Sequence, residues 1–172
     1  MAQERTPEKV LLFMGVMYTD ASCLQDGLET LEYRFGKIKS SCGPVRFSSI
    51  SPYYDTEMGG EVWKRYFFFN HLIDRDQLPD IKVYTNEIEG QMSVKGKRRI
   101  NLDPGYLATE KFVLASAKNF FHRIYLRRGI FAEVTLHFRN KRVKEFSWTY
   151  QDYVLPEVQN LILTERNSLL QK

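Results

Sequence analysis

Behind Lys9 the chain runs apolar through Met17 and is bounded by polar residues on both sides. A half-buried strand would alternate, so this unbroken run predicts a central strand covered on both faces. The spacing then changes. Ser22 and Gln25 fit an S-x-x-Q capping box, and Leu24, Leu28, Leu31 and Phe35 recur at helical intervals before Gly36, which predicts an amphipathic helix marked at both ends. Pro44 to Ile50 reads as a second strand entering a polar loop, Ser51 to Gly60, that Pro52 and Gly59-Gly60 break. Tyr66 to Leu72 is a third strand. Pro79 opens a second helix whose inner face is Ile81, Thr85, Ile88 and Met92, ending before Gly96.

Arg98 to Asp103 alternates, with Ile100 and Leu102 on one face and Arg99, Asn101 and Asp103 on the other, as in a half-buried fourth strand. Asp103-Pro104 then suits the cap and first residue of a helix with Leu107, Glu110, Leu114 and Ala117 on one side, ending near Lys118. Phe121 to Leu126 and Ile130 to Phe138 flank Arg127-Arg128-Gly129, which reads as a hairpin with a three-residue loop. That register sets Leu126 opposite Ile130, Ile124 opposite Ala132 and His122 opposite Val134 on an apolar face. Tyr125 then faces Phe131 and Arg123 faces Glu133 on the other. Val143 to Trp148 adds a strand, and Pro156 opens a closing helix along Val158, Leu161, Ile162, Glu165 and Leu169.

Together these elements predict an α+β fold: a ferredoxin-like β-α-β-β-α-β core extended by a helix, a β-hairpin and a C-terminal helix. Residues 1–172 suit one domain, with 1–8 as a flexible N-terminus. Composition agrees, at 43% hydrophobic and 27% charged, which excludes disordered and collagen-like classes. No apolar run approaches the roughly 20 residues that span a bilayer. The polar start MAQERTPEK is unlike a secretory signal, so a cytoplasmic protein without membrane contact is expected. Cys23 and Cys42 lack metal or redox spacing. A net charge of +4 favours anionic partners.

Several strings occur together: GVMYTD at Gly15, YYDTEMG at Tyr53, LIDRDQLPDIKVYTNEIE at Leu72, KGKRRINLDPGYL at Lys95, HRIYLRRGIFAEVTL at His122 and WTYQDY at Trp148. In these the chain resembles a bacterial family, domain of unknown function 4416, over nearly its whole length. The resemblance brings no established activity, although some relatives carry a GTP-binding label. A P-loop needs G-x-x-x-x-G-K-[ST]. Gly90 to Arg98 has one residue too many before Gly96-Lys97, ends in Arg98 and leads into a strand, so no P-loop is present.

Chemistry therefore has to come from dispersed side chains. The densest polar string, KGKRRINLDPG, offers Lys97, Arg99 and Asn101 as ligand-binding groups, with Arg99 suited to gripping a phosphate or carboxylate bidentately. Asp103 can act as a base or hold a metal, and equally can be a helix cap. On the hairpin, Glu133 and His122 are the further candidate catalytic groups and Arg123 a ligand-binding one. Arg123 with Glu133 also fits a cross-strand ion pair, and His122 also fits a hydrogen-bonded core histidine. Tyr54 and Asp55 sit where a loop can close over a ligand. The leading expectation is binding, with turnover an open extension, of a small anionic phosphate-bearing ligand such as a nucleotide, magnesium being the ion it would bring. The alternative is a nucleic-acid-binding or protein-interaction module using the basic, aromatic-laced stretch from Arg123 to Tyr153, which carries no RNP string, GXXG clamp or zinc finger.

Overall fold

A computed structural model describes residues 3–171. The expected flexible segment 1–8 lies partly outside the described residues; 3–8 are exposed and have no regular structure. The chain forms β1 (Val10–Tyr18), α1 (Ala21–Phe35), β2 (Ile38–Arg46), α2 (Tyr53–Met58), β3 (Trp63–Ile73), α3 (Leu78–Gln91), β4 (Ile100–Leu107) and β5 (Lys111–Ser116). It continues with β6 (Arg123–Arg127), β7 (Ile130–Arg139), β8 (Arg142–Glu145) and α4 (Pro156–Leu170). All eight strands join one antiparallel sheet in the order β2-β3-β1-β4-β5-β7-β6, with β8 pairing the far half of the β7 edge that β6 leaves free.

As its unbroken apolarity predicted, β1 is buried at every position. Leu12, Met14 and Val16 pack with Leu24 and Leu31 of α1 and Leu78, Ile81 and Ile88 of α3. Leu11 and Phe13 face the other way, into Tyr66, Phe68 and Phe112 beneath Val158 and Ile162 of α4. The sheet thus lies between α1 and α3 on one face and α4 on the other. No described helix is long and apolar enough to cross a membrane.

Five expectations are corrected. The cap of α1 is Asp20, whose carboxylate accepts from the Cys23 amide at 2.9 Å; Ser22 is inside the helix and donates to Asp20. The second strand lies at Ile38–Arg46 and not at Pro44–Ile50, because this edge strand is half polar and lacks the apolar run that marks a covered one. The loop at Ser51–Gly60 holds the short helix α2, which Gly59 closes in a left-handed conformation.

The helix expected over 104–118, the first of the three predicted extensions, is the hairpin β4–β5. Pro104 is tolerated in β4 because β5 pairs only from Gly105 onward, so Pro104 borders a free edge. Gly105 permits the approach of β5, since a Cβ there would overlap the Val113 carbonyl oxygen. Finally, Tyr125↔Phe131, Ile124↔Ala132 and Arg123↔Glu133 pair as expected, but the loop has two residues and Arg127 faces Ile130. Arg128 and Gly129 both have positive φ, as a type I′ turn requires, and a bulge at Leu126 absorbs the extra residue.

Candidate functional site

β4 and β5 pair only over Gly105–Leu107 and then splay apart. Where they part, side chains of α3 replace the missing neighbour of β4: Glu89 accepts the Leu102 amide at 2.8 Å, and Lys82 donates to the Leu102 carbonyl at 2.7 Å. A backbone edge that would otherwise be buried unsatisfied is thereby paired. The splay opens a cavity of about 610 Å³ between β4, the end of β5, α2 and the segment Trp148–Tyr153.

This cavity has a mixed wall in which charged side chains converge with apolar ones such as Met17, Phe47 and Leu114. Lys64, Lys82, Arg98, Lys118 and Arg123 line it, against Asp103, Glu133 and Asp152. Lys64 and Asp152 form a buried pair at 2.7 Å, and the Tyr66 hydroxyl donates to the same carboxylate oxygen at 2.9 Å. Burial, then the Asp152 charge, pushes the Tyr66 hydroxyl far above its ordinary pKa, so it stays a donor. Arg98 donates to Asn101 at 2.8 Å, to Glu89 at 2.6 Å and to Glu57 of α2. Arg123 donates to Glu133 at 2.9 Å, Ser116 at 3.0 Å, the Lys118 carbonyl at 2.8 Å and the Tyr150 hydroxyl at 2.7 Å. Asp103 is less committed. It accepts from Asn101 at 3.0 Å and has Lys82 at 3.8 Å, with its side chain 30% exposed.

At the inner wall Gly15 stands opposite Asp103 and Tyr66 in the sheet. A methyl there would come within 3.1 Å of the Tyr153 hydroxyl and 3.2 Å of Lys64 Cε. The Tyr153 hydroxyl is buried and has no hydrogen-bond partner among the described residues. At the mouth Tyr54 is pushed up to about 12 by burial, with the Asp103 charge adding to the effect.

Of the residues singled out from sequence, Asn101, Asp103, Arg123, Glu133 and Tyr54 line this cavity. Arg99 does not. It pairs with Asp20 at the start of α1, while its neighbour Arg98 enters the cavity, because both precede β4 and strand alternation does not extend to them. Lys97 lies against Gly59, and Asp55 accepts from Ser48 at 2.7 Å, both away from the cavity lining. His122 was expected on the apolar face opposite Val134. It precedes β6 and turns instead to Glu133, Nε2 standing 2.9 Å from the carboxylate, with its ring stacked on Trp148 and Nδ1 buried without a partner among the described residues.

Sequence reasoning missed Lys64, Lys82, Arg98, Asp152 and Tyr153. One signal was available: Lys82, Asn86 and Glu89 recur at i, i+4 and i+7 and so share a face of α3. Among the described residues no group of three His, Cys, Asp or Glu side chains is placed to hold a metal ion.

Sheet and cavity together define an α+β protein with a charged cleft at a splayed strand pair. The chain belongs to the family described as Domain of unknown function (DUF4416), whose model matches residues 8–168. No curated protein and no solved structure matches it.

Proposed function

We propose that the cleft binds a small anionic ligand bearing a phosphate, with a nucleotide as the finer form of that reading. We also read the β2-β3-β1-β4 half of the sheet as a ferredoxin-like unit, an analogy that carries no function by itself. The observation that carries the proposal is the convergence of five cationic side chains on one cavity, two of them lysines only 3% and 6% exposed. Lys64, Lys82, Arg98 and Arg123 each have a carboxylate neighbour, whereas Lys118 makes no ion pair among the described residues, so an anionic ligand would meet one unpaired cation beside four held in place by their partners.

In this reading Arg98, Lys82 and Lys118 meet the phosphate, and Tyr54 and Tyr150 cover the mouth. Arg123 holds Glu133, Ser116 and Tyr150 in place. Asp103 has the spare acceptor capacity to take a ligand hydroxyl or a proton, or to hold a magnesium ion carried on the phosphates, since that ion uses one or two carboxylates with ligand oxygens. The Tyr153 hydroxyl, in the cavity wall and without a partner among the described residues, also supports a site completed by something beyond the chain.

Thermal unfolding with nucleotides and sugar phosphates, with and without magnesium, tests this. A ligand at about 100 times its Kd adds about 2.7 kcal/mol, which raises Tm by roughly 5–10 °C for a chain of this size. Arg98→Met should abolish most of that rise. No rise with any phosphate ligand would overturn the proposal.

A further inference from the structure

The basic residues between Arg123 and Tyr150 divide into three groups. Arg123 is committed to the cleft. Arg127 and Arg128 both pair with Asp80 of α3, Arg128 at 2.9 Å, and their hydrogen bonds, that of Arg128 foremost, hold the Asp80 carboxyl below its ordinary pKa. Arg139, Lys141, Arg142 and Lys144 form the third group on the β7–β8 hairpin, and none of them makes an ion pair with a described carboxylate. Arg139 stands directly opposite Arg142, and Lys144 opposite His137. Like charges facing each other across strands are destabilising. Arg139, Asn140, Arg142 and Lys144 also line a second concavity of about 530 Å³ with no acidic residue in its wall.

An aromatic row leads into this hairpin. Between the start of β6, opposite Glu133, and the end of β8, opposite Leu136, the free edge of β7 is capped by side chains: Trp148 donates to the Val134 carbonyl at 3.0 Å, and Thr149 donates to the Thr135 carbonyl at 2.5 Å. His122, Trp148 and Phe146 stack there with interplanar angles of 9° and 3°, and His137 follows with its centroid 5.1 Å from that of Phe146. Phe121, 79% exposed, packs at the other end against Trp148.

From an unneutralised cation cluster continuous with a stacked aromatic row, we infer that this edge of the sheet binds single-stranded nucleic acid. Phosphates lie on the β7–β8 hairpin and a base stacks on Phe121, the exposed ring at the end of the row, since the faces of Trp148 are covered by His122 and Phe146. Phosphate contacts and base stacking together are the chemistry of sequence-tolerant single-strand binding, whereas a duplex could use the cations alone. The row shares Trp148 with the cleft wall, but the inference requires no ligand in the cleft.

Fluorescence anisotropy of a labelled oligothymidylate with the full chain tests it. Four phosphate contacts predict an affinity loss of about 50-fold between roughly 50 and 200 mM salt, and replacing Arg139, Lys141, Arg142 and Lys144 with Ser should flatten the logarithmic salt slope by about 3. Phe121→Ala should weaken binding about 10-fold at unchanged slope. Arg139→Lys with Arg142→Lys keeps the charge and should keep the slope, which separates lost contacts from lost folding. Arg127→Ser with Arg128→Ser should bind as the wild type does. Absence of binding at the lowest salt, equal binding by the four-serine variant, or binding to anionic lipid vesicles without binding to the oligonucleotide would each overturn the inference.

Discussion

The Asp152 carboxylate shows how single residues set the inner wall of the cleft. It neutralises Lys64 and accepts from Tyr66, and all three side chains are buried. Removing one member of a buried pair strands the other charge, so Asp152→Ala should cost about 3–5 kcal/mol in denaturant unfolding, and much less in a Lys64→Met background. Equal losses in the two backgrounds would mean that the pair is not the source of stability. None of this network was visible in the sequence. Lys64 occupies a strand position flanked by Trp63 and Arg65, and Asp152 lies 88 residues away in a short 3-10 turn, so only the packed fold brings them together.

Elements were legible where local physics decides them, and α1 marks both the success and its limit. Its apolar spacing and its stop at Gly36 are in the chain, yet two polar residues compete for its cap and Asp20 takes the position. Hydrogen bonds from the Ser22 hydroxyl and the Cys23 amide, with further help from Arg99, lower the Asp20 pKa to about 2. A depressed carboxylate contributes stability above its unfolded value of about 3.9 and loses it as pH falls through the folded value. Asp20→Ala should therefore cost about 1 kcal/mol near neutral pH. The gap to wild type should narrow below about pH 4 and close toward about pH 2, as read from denaturant midpoints. A gap that stays constant with pH would rule out the charged cap.

The hairpin β4–β5 marks the opposite case. Asp-Pro followed by Leu107, Glu110, Leu114 and Ala117 satisfies helical start and spacing signals, and tertiary pairing overrides them. What the sequence could not disclose was the neighbour of β4, whose residues 100–104 are paired on one side by β1 and whose Leu102 is capped on the other by α3 side chains. The β6–β7 register was legible because facing Arg123 and Glu133, and facing Tyr125 and Phe131, is favourable; the turn was misjudged because a bulge changes the loop count without changing that register.

At the scale of the whole molecule the sheet carries two polar regions: the cleft where β4 and β5 part, and the basic β7–β8 hairpin. Of the four residues whose convergence the sequence left open, Asp103, Arg123 and Glu133 line the cleft, and Arg98 stands where Arg99 was expected. The splay itself is a long-range property of strand pairing, and no string in the chain encodes it. The most direct test of the cleft is amide chemical-shift mapping of the isotopically labelled protein during titration with a ribonucleoside monophosphate. Saturable shifts at Arg98–Asp103, Ser116–Lys118 and Tyr150–Tyr153, with the β7–β8 hairpin unmoved, are the result expected. Shifts confined to Arg139–Lys144, or none at millimolar ligand, would contradict a ligand site in the cleft.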